Sequence, residues 1–260
     1  MIQAEIVAVG TELCFGRVYD TNSFWLADQL TRLGVLVQRI TCIRDEPLEM
    51  IALLQTILNR KPNFIFITGG LGPTEDDITI EVLAKLSGRS IIIDHNILSV
   101  AAKKRHLEPS QLLPHHLKMS STVEGAKCVK NPVGWAPLTI LNIDETTLFA
   151  MPGPPKEMQA CFQTHIVSDI KKRTQNYSVV HRVMVSMYES EIAQIITQIH
   201  QTIHGVYIKP IISETIPGTG LPVEIIVFSD NVENGQKKYN QVFNRLVQLI
   251  REKGKQIWKV

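Results

Sequence analysis

The segment Asn63–Thr79, NFIFITGGLGPTEDDIT, passes within a few residues from four consecutive apolar side chains (Phe64 to Ile67) to glycines and then to acids. Gly69, Gly70 and Gly72 admit positive φ and place no Cβ between their amides and a ligand. Pro73 stiffens the turn, Thr74 follows it, and Asp76, Asp77 and Thr79 lead into the helix-like stretch EVLAKLSG. A turn of exposed amides before a helix N-terminus suits an anion such as phosphate. Two adjacent carboxylates would repel that anion, and a divalent cation held by Asp76 and Asp77 resolves the conflict by sharing the phosphate oxygens with the loop. In the plainer alternative Asp77 or Thr79 caps the helix and Asp76 is a solvated charge. The pattern matches neither the Walker loop, since no GK[ST] follows, nor the dinucleotide GxGxxG.

The elements that must carry these residues are legible from periodicity. An unbroken apolar run of this length predicts a central parallel strand covered on both faces. Two earlier strands end in the same way. Ala4 to Val9 runs into Gly10, Thr11 and Glu12, and Val35 to Ile43 runs into Arg44, Asp45 and Glu46. Between them, a helix starts at Asp20, Thr21 or Asn22, carries an apolar stripe of Phe24, Leu26, Leu30 and Leu33, and stops at Gly34. Pro47 opens the next helix, through Asn59. Alternation of strand and helix predicts an α/β fold with a doubly wound, mainly parallel sheet, whose ligands bind beyond the carboxyl ends of the strands. Glu12, Asp45 and Asp77 can converge on that edge. A later loop, MPGPPKEM, offers a rigid wall for it: Pro152, Pro154 and Pro155 fix an irregular backbone, Gly153 turns it, and Lys156 and Glu157 open the following helix to about Arg173.

The chain of 260 residues suffices for two domains with separate cores. With 27 basic and 25 acidic residues the net charge is only +2, so the balance gives no global case for nucleic acid or a membrane surface. The N-terminal MIQAEIVAVG enters a strand directly, without a basic leader or a long apolar run, and a cytoplasmic location is expected. Cys14, Cys42, Cys128 and Cys161 lack CxxC spacing and read as reduced thiols. His106, His115 and His116 read as surface histidines, because no carboxylate or cysteine pattern accompanies them. Beyond KKRTQNYS the pattern becomes βαββα, which predicts a small α+β domain over 174–260 after a first domain over 1–173. In it Lys237, Lys238, Arg245 and Arg251 read as the solvated face of a long helix rather than an RNA surface.

Taken together, the chain resembles the CinA N-terminal family within the wider group of MoaB/MogA-like molybdopterin-binding domains. The resemblance rests on AVGTEL with Gly16, DTN at Asp20 to Asn22, Asp45, GGLGPTEDDIT, NPVGWAP from Asn131 to Pro137, and MPGPPKEM. Cys14-Phe15 and Leu138 depart from it, where relatives carry aliphatic residues and glycine. The second domain is similar to the KH-like domain of that family, through Glu189-Ser190. What the resemblance implies is a metal-dependent nucleotide pyrophosphatase acting on ADP-ribose or a similar diphosphate, with Mg²⁺ or Co²⁺, and K⁺ beside them, as cofactors. It also implies a homo-oligomer, a dimer or trimer. The sequence stops after the second domain, so the nicotinamide-nucleotide amidase half of full-length CinA proteins is expected to be lacking and deamidation is not implied. By the same resemblance Asp77 is the essential acid and Asp45 a second acidic position. Glu12 would share the catalytic work, with Gly10, Thr11, Asn22, the glycine turn and the proline loop around the nucleotide. The alternatives are a binder or adenylyl transferase of the molybdopterin pathway and a non-catalytic RNA- or protein-binding module.

Overall fold

The computed structural model describes residues 1–174, 176–215 and 220–260, with the side chain of Pro109 left aside. The chain divides into two compact units, one formed by 1–30 and 35–173 and the other by 31–34 and 174–260.

In the first unit the elements run β1 (Gln3–Val9), α1 (Thr11–Cys14), α2 (Thr21–Arg32), β2 (Leu36–Ile43), α3 (Pro47–Asn59), β3 (Phe64–Thr68), α4 (Thr79–Ser87), β4 (Ile91–Ile93), α5 (His95–Lys104), α6 (Pro114–Lys118), β5 (Ser121–Val123), β6 (Lys127–Val129), β7 (Leu138–Ile143), β8 (Thr146–Met151), α7 (Pro155–Cys161) and α8 (Val167–Arg173). A π-helical turn, Phe162–Ile166, joins α7 to α8. The main sheet has the order β2-β1-β3-β8-β7-β6. Its first four strands are parallel, β7 pairs antiparallel with β8, and β6 pairs antiparallel with β7. β3 and β8 are buried along their whole length, β3 through the apolar run Phe64 to Ile67 and β8 through Leu148 to Met151 after two buried threonines. Side chains alternate across β3. Phe64 and Phe66 join Phe149 and Phe162 on one face, with Phe66 and Phe149 stacked at 5.1 Å, while Ile65 and Ile67 pack with Val7, Met50, Leu54 and Leu83 on the other.

The parallel ends are locked in register. Gly10 N–H donates to the Ile43 carbonyl, and Gly69 N–H to the Met151 carbonyl, each at 3.0 Å. The loops after β1, β2, β3 and β8 therefore start from one edge. The chain leaves β1 for β2 on one side and for β3 on the other, which makes this edge the switch point of the sheet.

Two expectations about helices need correction. Neither Asp77 nor Thr79 caps α4: Ile78 occupies that position, Thr79 is the first helical residue, and its hydroxyl donates to the Gly69 carbonyl at 2.9 Å. Phe24 is not part of the buried stripe of α2 but is 80% exposed, leaving Ser23, Leu26 and Leu30 as the buried positions.

The second unit contains β9 (Tyr177–Val185), α9 (Glu189–Thr202), β10 (Val206–Pro210), β11 (Leu221–Ser229), α10 (Val232–Glu252) and β12 (Ile257–Lys259). Its antiparallel sheet has the order β10-β11-β9-β12, so β12 adds a strand to the expected βαββα series. Val183, Val185, Ile225 and Val227 form its core with Ile195, Val242 and Leu246 of the helices. On α10, Lys237, Arg245 and Arg251 are exposed and Lys238 is half-buried. Among the described residues, no helix is long and apolar enough to cross a membrane.

Candidate functional site

A cavity of about 570 Å³ lies in the first unit, at the carboxyl edge of the parallel strands. That volume is in the range of small-molecule sites. Glu12, Asp45, Asp76 and Asp77 all line it, as do Gly10, Asn22, Gly69, Gly70, Gly72, Pro73, Thr74, Pro152, Gly153, Pro154, Pro155 and Glu157. The convergence expected of three separate strand ends is thus present.

The glycine turn is built by close approach. Gly69 has φ +97°, and a Cβ there would stand 2.2 Å from the Val9 carbonyl oxygen of β1. A Cβ on Gly72 would stand 2.5 Å from the Asp77 carboxylate. That carboxylate braces the turn, since Oδ2 accepts from the Thr74 amide at 2.9 Å and the Thr74 hydroxyl at 2.6 Å. Lys118 donates to the Thr74 carbonyl at 2.6 Å and pins the same turn from α6. Hydrogen bonding to Thr74 and to its own backbone amide, with the charge of Lys118, holds the Asp76 carboxyl below the usual range.

Asp45 repeats the arrangement after β2: its Oδ2 accepts from the Thr11 amide at 2.7 Å and the Thr11 hydroxyl at 2.9 Å. Asn22 donates from Nδ2 to the Gly153 carbonyl at 2.7 Å, which ties α2 to the proline loop. Asp20 accepts from the Ser23 amide and opens α2. Glu157 accepts from Asn131 Nδ2 at 2.7 Å, while Asn131 Oδ1 accepts the amides of Val133 and Gly134. A Cβ on Gly134 would collide with the Glu157 carboxylate, so this glycine is what lets NPVGWAP close onto α7.

Several expected roles change. Lys156 is exposed and does not line the cavity, because successive helical residues step around the axis by about 100° and those on either side of it face inward. Thr11 stays behind Asp45 as its anchor. The amides of Gly10, Gly69 and Thr11 are consumed by Ile43, Met151 and Asp45, so none can hold phosphate. Gly70 and Gly72 keep amides with no hydrogen-bond partner among the described residues. Glu157 is a structural acceptor at the wall.

Sequence reasoning missed Tyr19, Arg105 and Met119 as lining residues, and gave Trp135 and Ala136 of NPVGWAP no place in the cavity. Arg105 is the sole lysine or arginine among the lining residues, and its guanidinium lies 5.3 Å from the centre of the Trp135 ring. Trp135 is buried, donates to Ser120 Oγ at 3.0 Å, and stacks on His116 at 4.5 Å. Burial, then the charges of His115 and Arg105, push the His116 pKa below 6.5. The His116 Nδ1 accepts the Leu113 amide, as a neutral ring can. The NPVGWAP motif, to which Trp135 and Ala136 belong, was the one mark of this region in the sequence; nothing linked α5 to it.

A family described as a probable molybdopterin binding domain matches residues 5–172, the stretch that contains the whole cavity. The chain belongs to this molybdopterin-binding-domain family. It is CinA-like within it. A Metallosphaera sedula protein is 35% identical over 254 residues, which cover 96% of this chain and 95% of that protein. A Halothermothrix orenii relative, whose name places it with the competence-damage inducible proteins, is 35% identical over 170 residues. The matched region is 65% of this chain and spans 41% of that relative's length. The crystal structure of the protein CinA from Thermoplasma acidophilum superposes with a TM-score of 0.60 at 32% identity, over 65% of this chain and 97% of that one.

Whether the acids suit a metal can be asked of their geometry. Among the described residues, no three His, Cys, Asp or Glu side chains are grouped to cage an ion. Asp77 keeps Oδ1 without a hydrogen-bond partner among the described residues, and Asp76 lines the same cavity beside it.

Proposed function

We propose that the first unit is a metal-dependent nucleotide pyrophosphatase that hydrolyses ADP-ribose or a similar diphosphate. The observation that carries the reading is the composition of the cavity: six carboxylates, of which Asp45 and Asp77 are held by threonine donors, two glycine amides without a partner among the described residues, and a single arginine. Acids without cationic partners make a poor site for a bare anion and a suitable one for an anion that arrives with a divalent cation.

Asp76 and Asp77 would hold the cation, Mg²⁺ or Co²⁺, which when bound withdraws charge from the phosphates and acidifies a water. The amides of Gly70 and Gly72 would hold a phosphate oxygen. Asp45 is bound on one oxygen by Thr11, whereas Glu12 lines the cavity with no hydrogen-bond partner for its carboxylate among the described residues. Glu12 is thus better placed to accept the proton of the attacking water, with Asp45 orienting it. Water adds to one phosphorus, the bridging oxygen leaves, and ADP-ribose yields AMP and ribose 5-phosphate. Arg105 would take negative charge on the second phosphate, with Tyr19 and Met119 beside the rest of the nucleotide.

The test is release of AMP from ADP-ribose by purified protein with Mg²⁺ or Co²⁺. Release that disappears with a chelator supports the reading. No release with either metal, together with thermal protection by a pterin phosphate, would favour the second reading, a molybdopterin-pathway binder or adenylyl transferase, to which the family match gives its weight. A homo-oligomer and a cytoplasmic location are proposed on the resemblance to the CinA family.

A further inference from the structure

Outside the cavity, Cys14 and Cys42 place two thiols side by side. Their sulfurs lie 3.5 Å apart, and both residues are exposed. Cys14 ends α1 and Cys42 is the penultimate residue of β2, so 28 positions separate them in sequence. The two elements are already held together at this point, by Gly10 N–H on the Ile43 carbonyl and by the double bond of Thr11 to Asp45. Bringing the sulfurs to a bonding distance of about 2.05 Å needs a shift of about 1.5 Å. α1 has only four residues, lies between Gly10 and Gly16, and can supply that shift without disturbing the sheet.

The remaining cysteines provide an internal contrast. Cys161 is buried and Cys128 half-buried, and burial pushes their thiols up to about 12 and about 11. Neither has a cysteine as a hydrogen-bond partner among the described residues.

We infer that Cys14 and Cys42 form a reversible disulfide that fastens α1 to the end of β2, at the rim of the cavity. A low-molecular-weight disulfide of the glutathione class is the oxidant. The Cys14 thiolate attacks one of its sulfurs and expels a thiolate, giving a mixed disulfide. The Cys42 thiolate then attacks the Cys14 sulfur and expels the second small thiol. Two protein thiols lose two protons and two electrons, and one small disulfide becomes two thiols. Cys42 is pushed up to about 12 by burial and by its hydrogen bond to Cys14, so the closing step speeds up as pH rises. The bond would immobilise Glu12 and Leu13, the α1 residues that line the cavity.

The full chain, treated with glutathione disulfide at pH 8 and digested without reduction, tests this. A Cys14–Cys42 peptide pair, two hydrogens lighter than its parts and separated by dithiothreitol, is expected as the main product. Closing a loop of this length restricts the unfolded chain, so the melting temperature should rise by about 5–10 °C on oxidation. Cys14→Ser should melt as the reduced protein does and show no rise. Separate glutathione adducts on Cys14 and Cys42 without the cross-link, or a cross-link that leaves the melting temperature unchanged, would overturn the inference.

Discussion

The two edges of the parallel sheet treat their carboxylates in opposite ways. Toward the amino edge, Glu5 of β1 is only 2% exposed and is gripped by Arg60, whose Nε and Nη2 donate to its two oxygens at 2.7 and 2.6 Å, with Arg39 at 3.4 Å. At the carboxyl edge, Asp45 and Asp77 each accept from the amide and hydroxyl of one threonine. Among the described residues, no lysine or arginine lies within salt-bridge distance of Glu12, Asp45, Asp76 or Asp77. A fork of cationic donors cancels a buried charge and fixes structure. Neutral donors position a carboxylate and leave its charge to act on something else. One sheet thus holds an acid paired with arginine at one end and acids without a cationic partner, among the described residues, at the other.

The contrast breaks most visibly if the two kinds of acid are exchanged in effect. Asp77→Asn keeps an oxygen that can accept from Thr74, so the melting temperature should stay within about 3 °C of the parent. AMP release should fall by about 10²–10³, as expected when a charged group beside a reacting phosphate is lost. Retained turnover in a folded variant would remove Asp77 from the chemistry.

At the other edge the outcome should invert. Arg60→Met leaves the buried Glu5 carboxylate with only the long contact to Arg39, and should cost about 3 kcal/mol. Thermal unfolding should shift down by about 6–12 °C, while the KM and kcat of the folded protein at low temperature stay as in the parent. A smaller change is expected of Arg105→Gln on the facing wall. It should raise KM about tenfold, the loss of one hydrogen bond to a charged group, with kcat nearly constant.

The smallest effect concerns His116. Its folded pKa lies below 6.5, so the unfolded chain binds more protons in the window beneath that value. Stability from the neutral ring is complete above pH 6.5 and is lost as pH falls through the lowered pKa. The melting temperature should therefore decline between pH 7 and pH 5, and the decline should be reduced in His116→Gln.

What could be read from the sequence was local. An apolar run meeting glycines and acids named β3 and its loop, and three such endings placed Glu12, Asp45 and Asp77 on one edge, because parallel topology puts strand ends together. The uses of particular atoms were not legible. Whether the Gly69 amide is free depends on Met151, and whether Asp77 caps α4 or braces Thr74 depends on a turn geometry that composition does not fix. The wall of Arg105 and Trp135 comes from segments 30 residues apart that meet only in the fold. Exposure of Phe24 and the added strand β12 likewise depend on tertiary context overriding periodicity.

The central claim is that the cavity's acids carry uncompensated charge until a cation arrives with the nucleotide. The direct measurement is the melting temperature of the wild-type chain with saturating ADP-ribose, in Mg²⁺ and in a chelator. Stabilisation by the nucleotide in Mg²⁺ that vanishes in the chelator is the predicted result. Equal stabilisation in both would mean that Arg105 and the glycine amides suffice to hold the diphosphate, and would contradict the account.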